Sequence, residues 1–306
     1  MLSLSDALFG LGLPALVGIV LFFVGRREFA DTGSPYAGRR YTLGGAIVFA
    51  VGLGFLLGYC ALSKSDWFPV KEPTHWLFLA AVAMMPTAVA HQFLWQFLRA
   101  DWLFRAAGFV ILACAIGGIF SLLAESEWTV TAKIGWGIAV WLAAAAMTVG
   151  VEFKLRLAAD SSPDDFAAGL SLAIVSGLTA GVIGMSGSQT YGQIAAIVPA
   201  ALVPVVLLSP MFRTRIVSID TAPLFVLLVD GMLLFSYLYS DLTALNAALL
   251  FLSPIGLWAD VLPMIRKRKT WQRCAIQVLA VCLLAALPFG LALAKFVRDM
   301  SGEFGA

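Results

Sequence analysis

Runs of about twenty apolar residues follow one another along this chain, separated by short stretches that are charged or rich in turn residues. A membrane-crossing helix needs roughly 20 mostly apolar residues. Ten runs meet that length: Ala7–Val24, Tyr41–Leu62, Trp76–Leu98, Trp102–Leu123, Lys133–Glu152, Phe166–Met185, Gln189–Leu208, Thr221–Tyr239, Leu242–Leu262 and Cys274–Lys295. The pattern predicts an all-α fold, a polytopic transmembrane helical bundle of about ten spans. It forms a single integral membrane domain over residues 1–306. No polar stretch is long enough for a separate soluble core.

Basic residues orient these spans. Cytoplasmic loops are enriched in Lys and Arg. With the N-terminus outside, fifteen of the twenty basic residues fall on the cytoplasmic side: Arg26, Arg27, Arg39, Arg40, Arg99, Arg105, Lys154, Arg156, Arg213, Arg215, Arg266, Lys267, Arg268, Lys269 and Arg273. Only Lys64, Lys71, Lys133, Lys295 and Arg298 fall outside. A wrong span count would scramble this alternation, so both termini are expected on the non-cytoplasmic side. The tryptophans agree. Trp67, Trp76, Trp128 and Trp136 fall near one interface and Trp95, Trp102, Trp258 and Trp271 near the other, where indole rings prefer to lie.

Composition supports lipid as the solvent. The chain is 61% hydrophobic and 12% charged, about half the charged share of a soluble domain. A net charge of +2 gives no reason to expect a nucleic-acid partner. Cys60, Cys114, Cys274 and Cys282 lie in or beside apolar runs without CxxC spacing, and read as small buried hydrophobes. The opening "MLSLSDALFG" lacks the basic region of a signal peptide, so the first run is expected to stay as a span. The Ala/Gly/Leu-rich composition and the absence of glycosylation sequons point to a multi-pass protein of a cell membrane, the bacterial cytoplasmic one.

Small residues at four-residue spacing, Gly54 with Gly58, Gly177 with Gly181 and Ala180 with Gly184, mark faces where helix backbones approach closely in lipid. Pro14, Pro86, Pro199, Pro204, Pro254 and Pro288 fall inside spans and should kink them. Two halves, 1–153 and 166–306, flank the charged cytoplasmic linker "KLRLAADSSPDD". Five spans in each would place the halves in opposite orientations, the inverted-repeat plan of many secondary transporters. The prolines do not correspond between the halves.

Candidate chemistry is sparse. "GMSG" sets Ser186 between glycines, as in the nucleophile motif of rhomboid intramembrane proteases. That mechanism needs a histidine after the serine. Only His75 and His91 exist, and both precede it. Ser186 therefore reads as the tip of a helical hairpin, with Gly187 turning and Ser188 capping the next helix. Ser186, Ser188, Gln189, Tyr191 and Gln193 make this tip polar, along with Thr190. Asp230, in "PLFVLLVDGMLLFSYLY", lies about nine residues, or roughly 14 Å, into its span. A carboxylate at that depth costs about 2.5–3.5 kcal/mol on insertion scales, so it must be protonated or paired. His91, Gln92 and Gln96 form a polar stripe below Pro86. With Asp260 and Asp230 they are the candidate substrate or proton site, and His91, Asp230, Asp260 and Glu152 could line a polar vestibule opening inward. Asp260 and Glu152 could equally pair with the basic inner loops. The segment Arg266–Arg273 is the densest basic loop and suits anionic lipid headgroups.

No paired histidines or clustered carboxylates suggest a cofactor, a metal site or catalytic residues, which argues against an enzyme. The reading these features favour is a secondary transporter or permease with a polar intramembrane site around Asp230. The alternatives are a non-catalytic subunit or scaffold of a larger membrane complex, with a membrane-protein partner, and a membrane-embedded enzyme acting on lipid.

Overall fold

The computed structural model describes residues 8–30, 44–63, 72–98, 101–123, 128–158, 162–212 and 221–303, with the backbone alone at some helix ends, 92–98 among them. No strand occurs among these residues. A π-helical turn, Leu8–Gly12, leads into α1 (Leu13–Ala30), followed by α2 (Gly44–Ser63), α3 (Pro73–Leu98) and α4 (Asp101–Ser121). Then come α5 (Val130–Ala158), α6 (Ser162–Met185), α7 (Gln189–Phe212), α8 (Thr221–Tyr239) and α9 (Ala244–Leu252). A 3₁₀ helix, Ser253–Val261, continues α9, and the one-turn α10 (Pro263–Arg266) precedes α11 (Thr270–Glu303). Among the described residues, seven segments are long and apolar enough to cross a membrane: α4 to α8, the α9–3₁₀ unit and α11. Shorter apolar stretches occupy Gly10–Phe23 and Val48–Leu62. The chain is a multi-pass helical membrane protein.

Helices are longer than the apolar runs alone imply. The predicted linker from Lys154 to Asp165 is mostly helical, because α5 continues to Ala158 and α6 begins at Ser162. Lys and Arg are good helix formers, and here their charges find partners described below.

Burial sorts the spans by position. α8 packs against α2 to α7 and α9, and is apolar around its whole circumference, as a central helix must be. Of its most apolar window 78% is buried, against 17% for α5 and 28% for α11. The outer helices therefore turn most of their surface to lipid. Glycines set the closest approaches, and the predicted Gly54 and Gly58 are among them; Gly177 is not, since a methyl group there would lie an ordinary 3.9 Å from Pro199. A methyl group on Gly58 would lie 2.9 Å from Ile197, and one on Gly54 would lie 3.1 Å from the Ala201 methyl, so this face seats α2 on α7. A methyl group on Gly192 would lie 2.5 Å from the Cα of Gly184, which closes the α6–α7 hairpin.

The cysteines are a correction. Cys60 and Cys114 are exposed, while Cys274 and Cys282 are half-buried. In a membrane protein the outside of a span is as apolar as its inside, so an apolar run does not show which way a thiol points.

Candidate functional site

Asp230 sits midway along α8 and is 9% exposed. Its Oδ2 is buried and makes no hydrogen bond, and no ion pair reaches it among the described residues. The next residue, Gly231, meets α3: a methyl group there would lie 2.4 Å from Leu77 Cδ2. Pro223, two turns before Asp230 and on the same face, lies 3.7 Å from where a Gly108 methyl group would sit on α4. Asp230 is thus on the side of α8 turned toward α4. A buried polar atom without a partner costs about 1–3 kcal/mol.

His91 does not join it. Gly108 also meets Met84 of α3, at 3.9 Å. His91 lies two turns further along α3, where its ring packs on Phe104 of α4 with centroids 4.7 Å apart. From Leu77, level with Gly231, to His91 is about 21 Å at the helical rise. The side chains of Gln92 and Gln96 lie outside the described residues.

Asp260 belongs to a different place. It ends the 3₁₀ helix, where both carboxylate oxygens accept from Lys154 Nζ at 2.6 Å. Each side chain is 2% exposed. Beside this pair, Phe153 stacks on Trp258, with centroids 5.7 Å apart and rings within 6° of parallel. One Arg273 nitrogen, Nη2, lies 3.6 Å from Asp260 Oδ2 and also 3.6 Å from Asp164 Oδ2. That distance is too long for a hydrogen bond. Arg273 Nε has no partner, while the Cys274 thiol donates to Asp164 Oδ1 at 3.4 Å. One turn along α11 from Arg273, Gln277 is fully buried, with neither amide atom hydrogen-bonded. Glu152 holds a second, separate pair of contacts: Arg105 Nη2 at 2.7 Å and Arg156 Nη2 at 2.8 Å. Glu152 and Asp260 therefore do pair with basic residues, and Asp260 with one from a span rather than a loop.

The hairpin tip lies at the opposite end of α6 from Asp164. Gly187 has φ +92°, the left-handed turn only glycine adopts freely. Ser188 Oγ accepts from the Tyr191 N–H at 3.3 Å and caps α7. Ser186 is buried, and its Oγ donates to Val182 O at 2.7 Å. The tip is docked on the α8–α9 connection rather than simply solvated. Ser240 Oγ and the Asp241 N–H both donate to Ser186 O, at 2.9 Å and 3.2 Å. Tyr191 packs edge-on against Phe235 of α8. Gln189 and Thr190 are exposed, and Gln193 is half-buried.

Sequence reasoning missed Lys154, Arg273, Asp164 and Gln277. Gln277 alone carried a signal, an amide inside the run "CAIQVLAV". Among the described residues, no three His, Cys, Asp or Glu side chains gather as a metal ion requires. Compared with protein-family models, with curated proteins and with solved structures, the chain matches none.

Proposed function

We propose that the chain is a secondary transporter or permease of ten spans, with both termini on the non-cytoplasmic side, and that Asp230 is its central proton- or substrate-binding group. One observation carries this reading: a carboxyl group lies at the middle of the most enclosed span with an oxygen left unpartnered. An intramembrane acid that supplied only packing would be expected to find a partner, because the bilayer makes its isolation costly. Binding and release of a proton or a polar substrate would justify that cost.

Two features support the same reading. Membrane carriers place their sites near the midplane, between repeats of opposite orientation. Here α2 packs on α7 and α3 on α8, the pairs that a two-fold axis relating 1–153 to 166–306 would map onto themselves. The correspondence is incomplete, since α6 lies along α11 while α1 packs on α2 and α7. The exposed Arg266, Lys267, Arg268 and Lys269 suit anionic headgroups at the cytoplasmic surface.

The test is a comparison of thermal stability across pH for the purified wild type and Asp230→Asn. A wild-type transition that the substitution removes establishes a titrating site. Proteoliposome flux measurements with a trapped pH-sensitive dye then follow. Identical pH profiles, with stable copurification of another membrane protein, favour the scaffold reading instead.

A further inference from the structure

We infer that Lys154 and Asp260 form a latch that closes the basic end of the bundle, with the 3₁₀ segment Ser253–Val261 as its moving arm and Arg273 as the alternative partner for Asp260. The latch does not depend on what Asp230 binds. It concerns only whether α5 and the 3₁₀ segment are joined or parted.

Four observations distinguish a latch from a fixed staple. The first is the arm itself. Runs of 3₁₀ helix longer than three or four residues are uncommon because their hydrogen-bond geometry is poor, and within a span they mark hinges. This one has nine residues, opens at Pro254 and closes at Leu262, which is extended (φ −55°, ψ 135°) before Pro263. Second, the arm has a pivot: Gly256 packs so closely on α11 that a methyl group there would lie 2.8 Å from Val281 N. Asp260 is four residues beyond that point, at the end of the arm that meets α5. Third, the ion pair and the ring stack that join α5 to the arm lie at adjacent positions, Phe153 and Lys154, so both part together.

The fourth observation concerns Asp260 after release. Removing a buried carboxylate from its cation normally leaves an uncompensated charge, which locks such pairs shut. Here Arg273 stands 3.6 Å from the same carboxylate, with its Nε unpartnered, and needs to move by less than an ångström to bond it. Asp164, also 3.6 Å from Arg273 and holding the Cys274 thiol, keeps that guanidinium between two acids. Asp260 can thus change partners without being left bare, and α5 is then free to separate from the arm.

Cys274 is a built-in reporter, half-buried and adjacent to Arg273. With Cys60, Cys114 and Cys282 replaced by serine, the full chain in liposomes is treated with a maleimide and the rate of labelling at Cys274 is followed. Lys154→Met should raise that rate at least about tenfold, the factor that corresponds to ~1.4 kcal/mol of lost closure. Phe153→Ala leaves no bare charge and so serves if Lys154→Met fails to fold; it should raise the rate several-fold. Labelling of Lys154→Met or Phe153→Ala at the starting rate would overturn the latch.

Discussion

Two buried polar regions of this molecule follow opposite rules. At the basic end, Lys154, Asp260, Arg273 and Asp164 lie together, two positive and two negative, and the innermost pair is closed at 2.6 Å. At the centre, Asp230 lies among apolar side chains with an oxygen unpartnered. The first region compensates its own charge and can serve as structure or as a catch. The second leaves a buried carboxylate oxygen without a hydrogen-bond partner. Intramembrane acids differ less in depth than in what faces them.

The largest effect should come from breaking the compensated region. Asp260→Ala leaves Lys154 buried without its partner, and should cost about 3–5 kcal/mol, read as a lowered melting temperature in mild detergent. Removing both charges with Lys154→Met and Asp260→Leu should recover most of that loss. If the double variant is as unstable as the single one, the pair is not the source of the cost.

Backbone contacts come next. Gly192→Val forces a side chain into Gly184 and should cost about 1–3 kcal/mol by opening the α6–α7 hairpin. Wild-type stability for this variant would show that the hairpin can spread freely. Ser188→Ala removes the cap on α7 and should cost about 1 kcal/mol, measurable by denaturant titration. The smallest effect on stability sharpens the contrast: Asp230→Asn should shift it by less than about 1 kcal/mol, because the carboxyl group already lacks a partner. A loss as large as that of Asp260→Ala would place Asp230 in the same class as the basic end.

Helix positions, the glycine contacts and the hairpin tip were legible along the chain, because each rests on local signals: length of apolar run, four-residue spacing and a Gly–Ser turn. Pro254 gave notice that its span is irregular. The Lys154–Asp260 pair was not legible. Its partners are 106 positions apart, and Lys154 reads as linker because charge usually marks a loop. The separation of His91 from Asp230 was hidden for a related reason. Depth along a span follows from counting residues, but which helices face one another is decided by packing. Asp230 stood out in both views, since its isolation is a property of its own span.

The most direct measurement is the pH dependence of thermal stability for the wild type beside Asp230→Asn. The account predicts a transition in the wild type that the substitution abolishes while leaving stability elsewhere on the pH axis nearly unchanged. Superimposable profiles would contradict it and reduce Asp230 to a neutral group buried in the packing.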